Sequence, residues 1–232
     1  MRIAAQRVLR PDGSLRPGAV IVDGGRITAV EELAPGESAP DRILAPGLVD
    51  VQVNGYGDVD LWSADPAAVD RLARCLAARG TTGWCPTLTS RLLPDYARWF
   101  AAHPDPAPGE IGVHLEGPFL SRPGAHRPDA LRPPDLGWLA ALPARVRMVT
   151  LAPELPGALE AVALLAPDRV VSLGHSHATI EEAGAAADRG ATSVTHVFNA
   201  MPPLDHRRPG LAVVERGPVS YTHLTLPTIL RV

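Results

Sequence analysis

From residue 46 onward the chain repeats one unit: an apolar run of strand length, then a segment with helical periodicity and proper helix ends. The apolar runs are GLVDVQV (47–53), TGWCPTL (82–88), IGVHLE (111–116), RMVTLA (147–152), RVVSLG (169–174) and TSVTHV (192–197). Among the helical segments, Asp65-Pro66 supplies an N-cap and a first-turn proline, Val69, Leu72 and Leu76 share one face, and Gly80 closes the helix. Thr179 and Glu182 have the spacing of a capping box, with Gly190 at the far end. Strands separated by helices cannot pair as hairpins; they lie parallel, with the helices outside the sheet. Both an open doubly wound sheet and a closed (β/α)8 barrel satisfy this rhythm.

Two observations favour the barrel. The GxGxxG turn that follows the first strand of a doubly wound dinucleotide fold is absent. Instead, polar residues gather at the C-terminal strand ends: Gln52 and Asn54 on the first, Glu116 on the third, His175 and His177 on the fifth, His196 and Asn199 on the sixth. In a barrel that rim is where active sites are built.

Glu116 poses a specific problem. Ile111, Val113, Leu115 and Phe119 read as a strand buried on both faces, and an unpaired carboxylate there is costly. An arginine partner or a metal ion would each compensate it. One carboxylate and two imidazoles at strand ends that a barrel brings together suit a divalent transition metal, with a position left open for water. His114 shares the strand face of Glu116 by the two-residue period and could line the site without binding metal, as could His177. His103 and His223 read as exposed loop or tail residues. Gly124-Ala125-His126 lies on the loop after Glu116, and Asn199, Arg207 and Arg208 follow His196. An arginine on such a loop suits a phosphate or carboxylate group, while Arg208 reads as a solvated surface residue.

Residues 1–45 differ from the rest. AVIVDGGRITAV alternates around Asp23-Gly24-Gly25, a hairpin signal, in a β-rich segment too short to bury a core of its own. Residues 46–218 form the βα repeat. All 22 Lys+Arg residues are arginine, so no Schiff-base lysine or carbamylated-lysine metal bridge is available. The net charge of −3 gives no basic face for nucleic acid. Cys75 and Cys85 form no metal-finger spacing and read as free buried thiols. No apolar run approaches the ~18 residues needed to span a membrane, and the N-terminus lacks a signal-peptide core, so a soluble, cytoplasmic protein is expected.

The ordered motifs APGLVDVQVNG, HLEGPFL, GAH, TLAPE, GHSHAT and THVFNAMPPL…RRPG resemble N-acetylglucosamine-6-phosphate deacetylase of the amidohydrolase superfamily, from about residue 15 to about residue 214. The resemblance implies a metal-dependent (β/α)8 TIM-type barrel, a small β-sandwich domain composed from both chain ends, and a homodimer. It implies hydrolysis of N-acetylglucosamine 6-phosphate to glucosamine 6-phosphate and acetate. Position by position, it makes Glu116, His175 and His196 the metal ligands, and Ala125, His126, Asn199, Ala200 and Arg207 substrate contacts, with Arg207 near the phosphate. Gln52-Val53-Asn54 stands where many amidohydrolases carry His-x-His, which implies one divalent ion per chain, zinc first, with iron, cobalt or manganese also suited.

The match is incomplete. About six βα units are present, and the aspartate expected at the end of an eighth strand as proton carrier is not among these residues. The terminal run SYTHLTLPTILRV matches nothing in the family, so residues 219–232 are expected to be a non-native tail, and the truncated chain alone to be inactive. Two further readings remain open. One is another amidohydrolase acting on a cyclic amide or N-acyl amino acid; the other is a non-catalytic sugar-phosphate-binding remnant.

Overall fold

The computed structural model describes residues 1–213, so the run at 219–232 and His223 lie outside the described residues. The chain divides into two compact units, Met1–Leu48 and the residues from Val49 onward.

The first unit is a four-stranded sheet in the order β3-β2-β1-β4. Its strands are β1 (Arg2–Leu9), β2 (Leu15–Asp23), β3 (Arg26–Glu31) and the short β4 (Ile43–Leu44). The expected hairpin is present. Asp23 pairs with Arg26, leaving Gly24 and Gly25 as a two-residue turn. Both have positive φ, 55° and 75°, the conformation such a turn requires and glycine adopts without a Cβ clash. Only Ala5, Val8 and Val20 form its buried cluster.

β5 (Leu48–Val53), all but its first residue in the second unit, leads into a small hairpin of β6 (Gly55–Tyr56) and β7 (Val59–Asp60). Then strands and helices alternate: α1 (Pro66–Ala78), β8 (Thr81–Leu88), α2 (Leu93–Ala102), β9 (Val113–Glu116), α3 (Leu136–Ala140), β10 (Val146–Leu151), α4 (Ala158–Leu165), β11 (Val170–Leu173), α5 (Ile180–Asp188) and β12 (Ser193–Val194). Helix ends form where side chains supply the missing partners. The Asp65 carboxylate accepts from Ala68 N–H at 2.7 Å. Thr179 and Glu182 close a reciprocal box at the start of α5.

The main sheet runs β5-β8-β9-β10-β11-β12, in chain order throughout. A doubly wound sheet reverses its strand order at a switch point; this one never does. Its C-terminal ends also converge. On a flat sheet β9 and β12 would stand three spacings of roughly 4.8 Å apart, yet Glu116, ending β9, touches His196, just past β12, at 3.0 Å. The sheet therefore curls, as part of a (β/α) barrel. Leu115, Val149, Leu151, Val171 and Leu173 pack one buried core with Val69, Leu72, Val162 and Leu165 of the helices.

Three local expectations differ from the fold. Ile111 is exposed, because β9 begins only at Val113. His103 is buried rather than exposed: it stacks on Trp99 at 4.4 Å and its ring nitrogens face the carbonyls of Trp99 and Ala64. Of the two thiols, Cys85 is buried on β8 but Cys75 is exposed on α1. Burial, with Glu110 and Asp50 nearby, pushes the Cys85 thiol up to about 12. A disulfide-exchange reagent at about pH 8 is expected to titrate Cys75 rapidly in the native protein and Cys85 only after denaturation. Cys75→Ser should abolish the fast phase, and two fast thiols in the folded protein would contradict this packing.

Candidate metal centre

Glu116 ends β9 with 3% of its surface exposed. No arginine compensates it among the described residues. Its Oε1 instead meets Nε2 of His175 at 3.2 Å, Nε2 of His196 at 3.0 Å and the amide nitrogen of Gln52 at 3.1 Å. The two Nε2 atoms stand 2.9 Å apart. Glu116, His175 and His196 form a buried group able to hold a metal ion.

The protons in this cluster follow from the far side of each ring. His175 Nδ1 faces the Arg122 carbonyl at 2.9 Å, and His196 Nδ1 faces the Asn199 carbonyl at 3.2 Å. A carbonyl only accepts, so both rings carry hydrogen on Nδ1, and in their neutral form present Nε2 as a lone pair. Two lone pairs and a carboxylate oxygen thus point at one another. A cation at their meeting point relieves that repulsion, either a proton or a metal ion. An ion held at about 2.0–2.2 Å by imidazole and carboxylate keeps its donors roughly 3 Å apart, which is the spacing observed. The donor set fits the group.

His126 has the opposite arrangement. Its Nδ1 accepts from Ser90 N–H at 3.1 Å and lies 2.8 Å from Ser90 Oγ. Its hydrogen is therefore on Nε2, which faces Glu116 Oε2 at 3.7 Å. His126 enters the cluster as a proton donor, its ring set edge-on to His175 at 4.2 Å. Ser90 comes this close because Gly117 has φ +88° and no side chain; a Cβ there would lie 2.3 Å from Ser90 Oγ.

Burial alone would raise the pKa of Glu116. His126, and His175 and His196 when they also carry a proton on Nε2, outweigh it and hold the carboxyl well below its usual range. Burial likewise disfavours charge on His196, but the hydrogen bond and charge of Glu116 prevail, and its pKa rises above the ordinary 6.5.

Below this cluster the barrel interior is polar where apolar layers are usual. His114 Nε2 meets Thr150 Oγ1 at 2.7 Å, Thr150 Oγ1 meets Thr195 Oγ1 at 2.7 Å, and Thr195 Oγ1 meets Ser172 Oγ at 2.6 Å. His114 is therefore engaged beside the site and outside the donor cluster, as its strand position suggests.

The chain is about 40% identical to the bovine (Bos taurus) N-acetylglucosamine-6-phosphate deacetylase over 230 residues, 88% of this chain and 56% of that protein. A crystal structure of the same-named enzyme from Mycobacterium smegmatis superposes with a TM-score of 0.83 at 38% identity, over 92% of this chain and 60% of that one. An aspartate-to-alanine variant of that enzyme, in complex with N-acetyl-D-glucosamine-6-phosphate, superposes with a TM-score of 0.79 at 38% identity, again over 92% of this chain and 60% of that one. The chain is a homologue of these deacetylases. Its sheet is part of a TIM-type barrel like theirs. The chain spans little more than half the length of the relatives it matches. No family model matches the chain.

Of the other residues singled out in the sequence, Gly124 lies against the cluster, since a Cβ there would sit 3.2 Å from His175 Cε1 and 3.4 Å from the Ala200 Cβ. This brings the Gly124-Ala125-His126 loop beside Ala200. Ala125, Asn199 and Arg207 are exposed. Arg207 and Arg208 donate their backbone N–H groups to Asp205, and neither guanidinium has an ion pair among the described residues. His177 is exposed and engages through its backbone N–H, outside the donor cluster. Sequence reasoning missed Ser90 as the partner of His126 and Gln52 as a donor to Glu116. Gln52 carried a signal, a polar residue at a strand end; Ser90 carried none.

A metal ion held by this group would compete with a proton for His196. Its raised pKa keeps the proton bound at pH values above the ordinary 6.5, so acid opposes metal uptake there. Calorimetric zinc titrations between about pH 8 and about pH 6 should show affinity falling by up to about tenfold per pH unit on the acid side. Proton release should accompany the fall. A flat profile without proton release would contradict the assignment.

Proposed function

We propose that Glu116, His175 and His196 bind one divalent ion, zinc by preference, in a protein that hydrolyses the acetamide of N-acetylglucosamine 6-phosphate. The observation that carries this reading is the convergence of both Nε2 lone pairs on the buried Glu116 carboxylate. An ion bound there supplies Lewis acidity, lowering the pKa of a water and polarising the acyl carbonyl. Iron, cobalt and manganese suit the same nitrogen and oxygen donors.

The chain's own residues supply the remainder. Arg122 and Asn199 carbonyls fix both ligand rings in the Nδ1–H tautomer. His126, with hydrogen on Nε2, offers a donor beside Glu116, able to reach a substrate oxygen where negative charge develops. The unpaired guanidinium of Arg207 is the proposed partner of the phosphate, with Ala125, Asn199 and Ala200 shaping the sugar site. The proton carrier is proposed to be an aspartate on an eighth strand, which these residues do not include. Residues 1–232 by themselves are therefore proposed to bind metal and sugar phosphate without turnover. The full protein is proposed to act as a cytoplasmic homodimer; no helix among the described residues is long and apolar enough to cross a membrane.

Acetate release distinguishes the alternatives. The 232-residue chain with zinc should release no acetate above a metal-only control, yet bind N-acetylglucosamine 6-phosphate more tightly than the unphosphorylated sugar. Arg207→Ala should weaken that binding by about tenfold or more, the order of a lost charge-assisted contact. Turnover by this chain would refute the need for the aspartate. Preference for a cyclic amide or N-acyl amino acid would refute the substrate.

A further inference from the structure

Glu154 is a carboxylate beside the centre to which the proposed reaction gives no task. It lies three positions past the end of β10, on a loop that Ala152 ties to Phe119 through a 2.9 Å backbone hydrogen bond. Its Oε1 accepts from His177 N–H at 2.6 Å and from the Ser121 hydroxyl, and its Oε2 accepts from the Ser176 hydroxyl at 2.7 Å. Both serines are committed to it. The Ser121 oxygen in turn accepts from His177 N–H at 3.2 Å, and the Ser176 oxygen accepts from Ala178 N–H at 2.9 Å.

The residues so held surround His175. Ser176 and His177 follow it in sequence. Ser121 and Arg122 grip it in space: their N–H groups donate to the His175 carbonyl at 3.1 and 2.8 Å, and the Arg122 carbonyl takes the ring's Nδ1–H at 2.9 Å. His175 itself has φ of 49°, the left-handed region that a residue with a Cβ disfavours. Its backbone stays there because its surroundings overdetermine it. From the loop after β10, Glu154 bonds both the chain after β11 and the chain after β9, and so braces from a third loop the direct bonds that Ser121 and the His175 ring make between them.

The geometry points to Glu154 as a positioning residue for the metal centre: through Ser121, Ser176 and His177 it fixes the backbone and tautomer of His175. Its hydrogen bonds go to Ser121, Ser176 and His177 N–H, and none among the described residues goes to the donor atoms. The inference rests on the proposed metal reading only for its first readout.

The test uses the 232-residue chain as wild type, Glu154→Ala and Glu154→Gln, with thermal unfolding and circular dichroism as the check on folding. Cobalt(II) is the probe. Its visible absorption reports ligand geometry, and its titration gives affinity. Glu154→Ala should bind cobalt about 10–100-fold more weakly, with an altered band shape. Glu154→Gln should lie between the two, since an amide oxygen still accepts from His177 N–H while the NH2 cannot accept from Ser176. The second readout needs no metal. Long-range proton–nitrogen NMR of the imidazoles, with His175→Gln for assignment, should show an Nδ1–H ring in wild type and a mixture of tautomers in Glu154→Ala. If wild type takes up no cobalt, the metal reading fails, and the tautomer comparison still decides the role of Glu154. A folded Glu154→Ala with the wild-type spectrum, affinity and tautomer overturns the inference, as does a loss that tracks unfolding alone.

Discussion

The structure depends on one buried negative charge. Glu116 has 3% of its surface exposed at the end of β9, and a carboxylate so placed must be answered by donors or cations. It is answered by Gln52 from β5, by His126 from the loop after β9, and by a proton or metal ion shared with His175 and His196 from beyond β11 and β12. Each partner comes from a different strand or loop, so the charge is satisfied only when the sheet has curled. The same geometry that compensates Glu116 closes the strand ends on a common point. Local chemistry and barrel curvature are thus one constraint.

Holding that point is costly to the backbone. His175, His196, Phe198 and Ala200 all have positive φ without being glycine, and all lie in the two segments that bear or flank the imidazoles. Strain of this kind persists where surrounding contacts exceed its cost, of order 1–3 kcal/mol per residue. Those contacts are visible: the carbonyls of His175 and Ala200 are both hydrogen-bonded, Ser121 and Arg122 to the first and Ser176 to the second. The loops after β9, β10, β11 and β12 therefore act as one hydrogen-bonded rim.

What sequence reasoning could reach follows from where the information resides. Strand and helix positions were legible because periodicity, the caps at Asp65 and Thr179 and the turn at Gly24-Gly25 are local. The donor cluster was legible because ligand-type residues at strand ends are unusual and a barrel rim unites them. Ser90, Gln52 and Glu154 act through partners 36, 64 and up to 33 positions away, and no local pattern announces such pairs. His103 misled for the opposite reason. It sits in a polar, proline-rich stretch that reads as surface, but the helix before it places the ring against Trp99. Ile111 continued an apolar run past the point where the strand begins.

The three histidines of the centre show why residue type alone does not settle role. His126, His175 and His196 are all buried, and all approach Glu116 through Nε2. What separates them is the atom behind Nδ1. A carbonyl behind the ring makes Nε2 a lone pair, fit to hold a cation; the Ser90 N–H behind His126 makes its Nε2 a donor, fit to meet an oxygen. Exchanging those rear partners would exchange the roles while leaving every ring where it is. The division of labour at this centre is therefore written in the loop backbone behind the rings, in Arg122, Asn199 and Ser90. Two of those three groups are main-chain carbonyls, whose placement depends on the fold of the rim and on no side chain of their own.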